Sequence, residues 1–188
     1  MISPQTVNDL KDWGQLLGYF VAVPVALLGI GKAIYEIQQG RKQRADELRW
    51  KRANVAKGLL DDMHNDRLTK SAIHMLDWCD GQDDYEIQGE KPPITISYSD
   101  VLAALTDNPP KQPIFWVVYI RDCFDWFFYR VGRLEHYIRR GLIDFDDVRD
   151  VFKVYACEIT KNSQIYDSFL AFHQYDLARE FFLRFKQS

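Results

Sequence analysis

Between Asp12 and Lys32 the chain runs for 19 residues without a formal charge, WGQLLGYFVAVPVALLGIG. At about 1.5 Å per helical residue this run is roughly 28 Å long, close to the hydrocarbon thickness of a bilayer. Such a stretch has to be buried, in lipid or in protein. The strictly apolar part, residues 16–30, is short for a full crossing. Lys32 can extend its ammonium to the headgroups, and Ala33, Ile34 and Tyr35 can complete an interfacial turn. Trp13 and Tyr35 stand at the two edges, where amphipathic rings anchor a span. A transmembrane helix is therefore expected over 13–35. The alternatives are a buried helix of a soluble bundle and a cleaved signal peptide. The signal peptide fits less well, because no basic region precedes the run and no small-x-small site follows it cleanly.

The flanks set the expected orientation. Residues 1–12 hold Asp9, Lys11 and Asp12, with no basic excess. Residues 41–52 hold Arg41, Lys42, Arg44, Arg49, Lys51 and Arg52 against only Asp46 and Glu47. The positive-inside rule then places a short N-terminus, 1–12, outside the inner membrane and everything after the span in the cytoplasm. Arg41, Lys42, Arg44 and Arg49 are the candidate contacts for anionic lipid headgroups, each adding about 1 kcal/mol near such a surface. Within the run Gly14, Gly18, Ala22 and Ala26 recur every four residues. This small-residue stripe lets two membrane helices approach closely, so a homo-oligomer in the bilayer is expected. Pro24, costly in a soluble helix, is better tolerated in lipid.

Composition bounds the remainder. The 188 residues carry 24 Lys+Arg and 27 Asp+Glu, but residues 54–188 alone carry 16 basic and 22 acidic side chains, a formal -6. General nucleic-acid binding is disfavoured by that balance. Three Cys cannot all pair within one chain, so a disulfide scaffold is excluded. Residues 36–63 read as a basic juxtamembrane stalk, with Ala45, Leu48, Val55 and Leu59 at helical spacing. Residues 64–188 read as a compact cytosolic bundle. A helix over 66–79 turns Leu68, Ala72, Met75, Leu76 and Cys79 inward. The polar stretch DGQDDYEIQGEKPP reads as a loop, and 94–97 as a short extended segment. Ser97 and Asp100 have capping-box spacing for a short helix.

Pro113 opens the strongest element. Ile120, Phe124, Phe127, Val131, Leu134 and Ile138 step by four and three and form an inward seam as far as Arg140. Gly141 ends that helix, and Asp144 is expected to cap the next. Val148, Phe152, Tyr155 and Ile159 form its buried stripe. One or two further helices follow over 164–185, using Ile165, Phe169, Phe172, Leu177, Phe181 and Phe182. The fold class is all-α: a membrane helix, a stalk and a helical bundle.

The segment FFYRVGRLEHYIRRGLIDFDDVRDVFKVYACEI, 127–159, resembles part of a bacterial family of small single-span membrane proteins with a helical cytosolic domain. Its turn is Arg139, Arg140, Gly141, Leu142, Ile143 and Asp144. The resemblance implies the topology just described; it carries no reaction, ligand or catalytic residue.

No nucleotide-binding loop, zinc-protease or nucleophile-elbow motif occurs, and no cofactor is expected. The acidic zone around Asp61, Asp77 and Asp84, with His74 and Cys79, lacks a second cluster of metal spacing, so no metal site is expected. Cys123 and Cys157 read as small core residues. Arg130 and His136 form Arg-x5-His, the spacing of small metal-independent helical ribonucleases, but six residues turn a helix by about 600° and part their faces. Arg130, Arg133, Arg139 and Arg140 along the long helix are the candidate contacts for an anionic small ligand; a protein partner is the other option. The expected function is a non-enzymatic interaction or sensory domain on a membrane anchor. A ligand-gated membrane effector, possible in antiphage defence, is the alternative, and the ribonuclease a weaker one.

Overall fold

The computed structural model describes residues 4–77, 82–87, 93–106 and 115–187, with side chains from residue 31 onward except at 82, 83 and 187. Its elements are α1 (Pro4–Asn65), α2 (Arg67–Asp77), β1 (Gln82–Tyr85), β2 (Ile94–Ser97), α3 (Tyr98–Leu105), α4 (Phe115–Arg139), α5 (Asp146–Lys161), α6 (Ser163–Phe172) and α7 (Asp176–Gln187). The fold is all-α with one antiparallel ribbon, in which Gln82 pairs with Ser97 and Tyr85 with Ile94. The extended segment at 94–97 is as expected. Its partner strand lies inside the stretch read as a loop, because Asp83 and Asp84 carry no strand propensity and only the pairing makes them extended.

Two units divide the chain, Met1–Trp50 and Lys51–Ser188. In the first, every described side chain from residue 31 to 50 is exposed except Gly40, which is intermediate. Among the described residues no helix is long and apolar enough to cross a membrane. The span expected at 13–35 lies, up to residue 30, on positions whose side chains are outside those described, as do Gly14, Gly18, Ala22 and Ala26.

The second unit is built around α4. Ile120, Phe124, Phe127, Val131 and Leu134 are at most 1% exposed, so the seam read from the spacing is the core up to its last member, Ile138, which packs against it half-buried. Phe124, Phe127 and Phe128 make edge and tilted contacts with one another and with Tyr166 and Phe169, and Phe127 stacks on Phe182. These rings bind α4 to α6 and α7, each well-placed pair adding about 0.5–1.5 kcal/mol beyond its buried area. Gly132 lies at the closest approach to α7: a Cβ there would stand 3.5 Å from the Leu177 Cβ. The end of α1 joins this unit through Ala56 and Met63, both buried, with Leu59 and Leu60 packed against the core. The contact face of α1 is therefore one residue round from the Leu48–Val55 register, and both of those residues are exposed.

Local signals place the ends. Ser97 accepts from the Asp100 amide and Asp100 accepts from the Ser97 amide, the reciprocal capping box. Gly141 has φ of 67°, its N–H donates to the Ile138 carbonyl, and the Leu142 N–H donates to the Tyr137 carbonyl, which is a Schellman stop. Asp144 does not cap α5 with its side chain. Its carboxylate accepts from Arg52 at 3.2 Å, while its amide donates to Asp147 at 3.1 Å. Two apolar assignments also differ. Phe172 is 71% exposed at the end of α6, and Cys157 lies on the outer face of α5 rather than in the core.

Candidate functional site

The four arginines assigned to an anionic ligand all lie on or at the end of α4, but the helix turns them apart. Arg130 faces α2. Its guanidinium stands 3.3 Å from Asp66, and its Cζ lies 5.9 Å over the Trp126 ring. Asp66 caps α2 by accepting from the Thr69 amide at 2.8 Å. Burial pushes this carboxyl up; the Thr69 amide and Arg130 more than offset that and leave it below its ordinary value. The Arg130 Nε is buried and has no hydrogen-bond partner among the described residues. The Arg130 side of α4 borders a niche of about 10 Å³ beside Asp62 and Met63, roughly the room one water needs.

Arg139 turns the other way. It donates to Glu135 at 3.2 Å and pairs with Glu180 of α7. Glu135 is 1% exposed and is held bidentately by Arg184, at 2.8 Å from Nε and 2.7 Å from Nη2. That fork raises the Arg184 pKa, the hydrogen bond to Glu135 being its main cause. Arg139 is thus part of an interhelical clamp. Arg133 and Arg140 are exposed and form no ion pair among the described residues. Arg133 also lines a cleft of about 450 Å³ with His136, Tyr129, Tyr137, Tyr175 of the α6–α7 turn and Asp176 at the start of α7. Arg130 does not line that cleft, so Arg130 and His136 open onto different surroundings.

A polar cluster that spacing did not reveal joins α3, α4 and the α6–α7 turn. Arg121 donates to the carbonyls of Ala104 at 2.9 Å and Thr106 at 3.3 Å, closing the negative end of α3. Its other nitrogen stands 3.4 Å from His173 Nε2. Arginine only donates, so Nε2 is the acceptor and the ring proton sits on Nδ1, which faces Asp125 at 3.6 Å. Tyr175 donates to Asp125 at 2.5 Å; burial raises that phenol's pKa and Asp125 adds to the rise. Burial lowers the His173 pKa, Asp125 opposes this and Arg121 adds to it. His173 is therefore neutral near pH 7. The next residue, Gln174, has φ of 58°, so the cluster clamps a tight left-handed turn. These residues are about 50 positions apart in sequence, and no local spacing signals the contact.

A second buried carboxylate works in the same structural manner. Glu158 accepts from Tyr98 at 2.7 Å, Asn162 at 3.0 Å and Lys161 at 3.0 Å. It locks α3 to the α5–α6 junction. Another cleft, of about 610 Å³ between α5 and α7, has Arg149, Lys153, Lys161 and Lys186 on its walls with Cys157. Arg149 is paired with Asp146 at 3.3 Å, and Lys161 with Glu158. Burial pushes the Cys123 thiol up to about 12, so it stays protonated and unreactive.

Among the described residues no three His, Cys, Asp or Glu side chains gather as a metal ion would require. Arg41, Lys42, Arg44 and Arg49 are exposed on α1 and form no ion pair among the described residues. No protein family, curated protein or solved structure matches the chain.

Proposed function

We propose that this chain is a membrane-anchored helical interaction or sensory module that self-associates. One feature carries the reading: the uncharged run, the basic cluster and the core-entering Ala56 and Met63 follow one another within a single helical stretch, Pro4–Asn65. An uncharged run of bilayer length followed by six basic residues in twelve is the arrangement of a span with its cytoplasmic flank. The exposed Ile34, Tyr35 and Ile37 fit the interface between the two. The buried charges of the compact unit are engaged with one another, which suits a rigid interaction body better than a reaction centre. The N-terminus then lies outside and the compact unit inside the inner membrane. The bacterial single-span family is the proposed kinship.

Gly14, Gly18, Ala22 and Ala26 would form the contact between spans. In the ligand-gated alternative, the cleft with Arg133 and His136 is the place for an anion, since Arg133 has no internal counter-ion among the described residues. The full-length protein should remain in the membrane pellet after alkaline carbonate extraction. A Val21→Lys and Val25→Lys double variant should be released. Release of the unaltered protein would overturn the anchor. In lipid, Gly18→Ile should weaken self-association by at least about tenfold if the small-residue stripe is used.

A further inference from the structure

We infer that the outer face of α4 pairs, antiparallel, with the same face of a second copy. The inner seam of α4 is fully consumed by the core, yet the opposite side carries a second apolar line. Phe115 is 45% exposed, Val118 44%, Trp126 44% and Tyr129 49%. These positions recur by three, eight and three residues, with the exposed Asp122 filling the gap at four, so they share one face. No α-helix of a bundle needs large rings on its solvent side. Three rings and Val118 in line on its longest described core helix form an exposed apolar stripe, not scattered exposure.

Charge selects the occupant. Asp122 and Arg133 lie on this same face, exposed and without an ion pair among the described residues. They stand at equal distances on either side of the point midway between Phe127 and Phe128. A twofold axis through that point places Asp122 of each copy opposite Arg133 of the other. The same operation sets Trp126 against Tyr129, and Phe115 against Arg140, a ring facing a guanidinium. The ion pair and each of the two ring contacts arise twice from one symmetry element. A parallel pairing would oppose Asp122 to Asp122 and Arg133 to Arg133, so the antiparallel arrangement is selected. Burial and the neighbouring Asp125 already raise the Asp122 pKa, a cost that a cation opposite would relieve. The cleft beside Tyr129 and Arg133 gives the facing Trp126 indole space to enter.

One face of a 25-residue helix presents about eight side chains, against the roughly 20–30 per partner of a standard interface. The pairing is therefore weak in dilute solution and strengthened when both copies are held in one bilayer. Only this strengthening rests on the proposed anchor; the geometry rests on α4.

The test is disulfide trapping with the full-length chain in liposomes, in a Cys79→Ser, Cys157→Ser background. Chains carrying Val118→Cys are mixed with chains carrying His136→Cys; the axis sets 118 opposite 137, so His136 stands one residue, about 1.5 Å, from that point on the same helix face, and neither position belongs to the ion pairs or ring contacts. Oxidation should give at least about tenfold more heterodimer than Val118→Cys mixed with Val154→Cys on α5. Asp122→Arg or Arg133→Asp in both chains should remove that excess, and the two together should restore it. An excess no greater than the α5 control, or no restoration in the double reversal, overturns the pairing. Capture of another protein by this face with no self-crosslink overturns it as well. Trapping retained in detergent by a Gly18→Ile chain would support the pairing while removing the span contact, so the two associations fail separately.

Discussion

Residues 31–50 and 51–63 belong to the same helix, yet they live under different rules. The first stretch exposes Ile34 at 52%, Ile37 at 58%, Leu48 at 57% and Trp50 at 69%. The second buries Ala56 and Met63 at 2% each. Neither apolar content nor helical spacing separates them, since Leu48 and Val55 read as good core positions. The difference is α4, whose Arg130, Arg133 and Leu134 line a niche with Leu59 and Met63, and the α4–α5 turn, where Asp144 takes Arg52. An apolar side chain on a helix is in a core only when another element arrives to cover it. For residues 31–50 no protein element does so among those described, and the proposed cover is the membrane interface.

The charged pairs sharpen the same contrast. Arg184–Glu135 is a bidentate pair with a 1% exposed carboxylate, whereas Lys32–Glu36 spans 3.7 Å between side chains that are 78% and 63% exposed. Arg184→Ala should cost about 3–5 kcal/mol, because it strips the fork from a buried carboxylate. Lys32→Ala should leave chemical denaturation of the compact unit unchanged. Equal effects would erase the distinction drawn between the two regions. The next effect in size is Met63→Ala at about 3 kcal/mol, against less than about 0.5 kcal/mol for Leu48→Ala. A cost at Leu48 matching that at Met63 would mean that residues 31–50 pack as a core does.

Acid should act on the compact unit through His173. Its pKa is lowered in the fold, so as pH falls through about 6.5 the unfolded chain binds the proton first. The stability this neutral ring contributes is complete above that value and is lost as pH drops toward the lowered one. Thermal melts of the wild type between pH 7 and 5 should shift downward more than those of His173→Gln. Equal shifts would show that the α4 to α6–α7 clamp does not depend on a neutral imidazole. The smallest effect is at Gly132. Its added Cβ would meet Leu177 at an ordinary 3.5 Å, so Gly132→Ala should gain up to about 1 kcal/mol of helix propensity. Gly132→Leu should destabilise, because α7 leaves no room for a larger group.

Much of the bundle was legible wherever a local rule decides. The α4 seam, the Ser97–Asp100 box and the Gly141 stop each lie within a few residues of sequence and appear as expected. The misreadings have one physical cause, partners far away in the chain. Asp144 had cap chemistry, but Arg52 lies 92 residues away and takes its carboxylate. Phe172 kept the period of α6, but at the turn into Gln174 it meets only the edge of the adjacent His173 ring among the described ring contacts and stays 71% exposed. Nothing in local spacing marks Glu135 and Glu158 as buried, because their donors Arg184 and Tyr98 lie 49 and 60 residues off. The candidate arginines were identifiable by type, but the roles of Arg130 and Arg139 depend on Asp66, Glu135 and Glu180.

The most direct test of the account is the side of the membrane on which Cys157 is found. This thiol is free and exposed on α5. In a Cys79→Ser chain, a membrane-impermeant maleimide should label it in inverted inner-membrane vesicles and leave it unlabelled in intact cells. Labelling in intact cells, or recovery of the chain in the soluble fraction, would contradict a span over 13–35 with the compact unit inside.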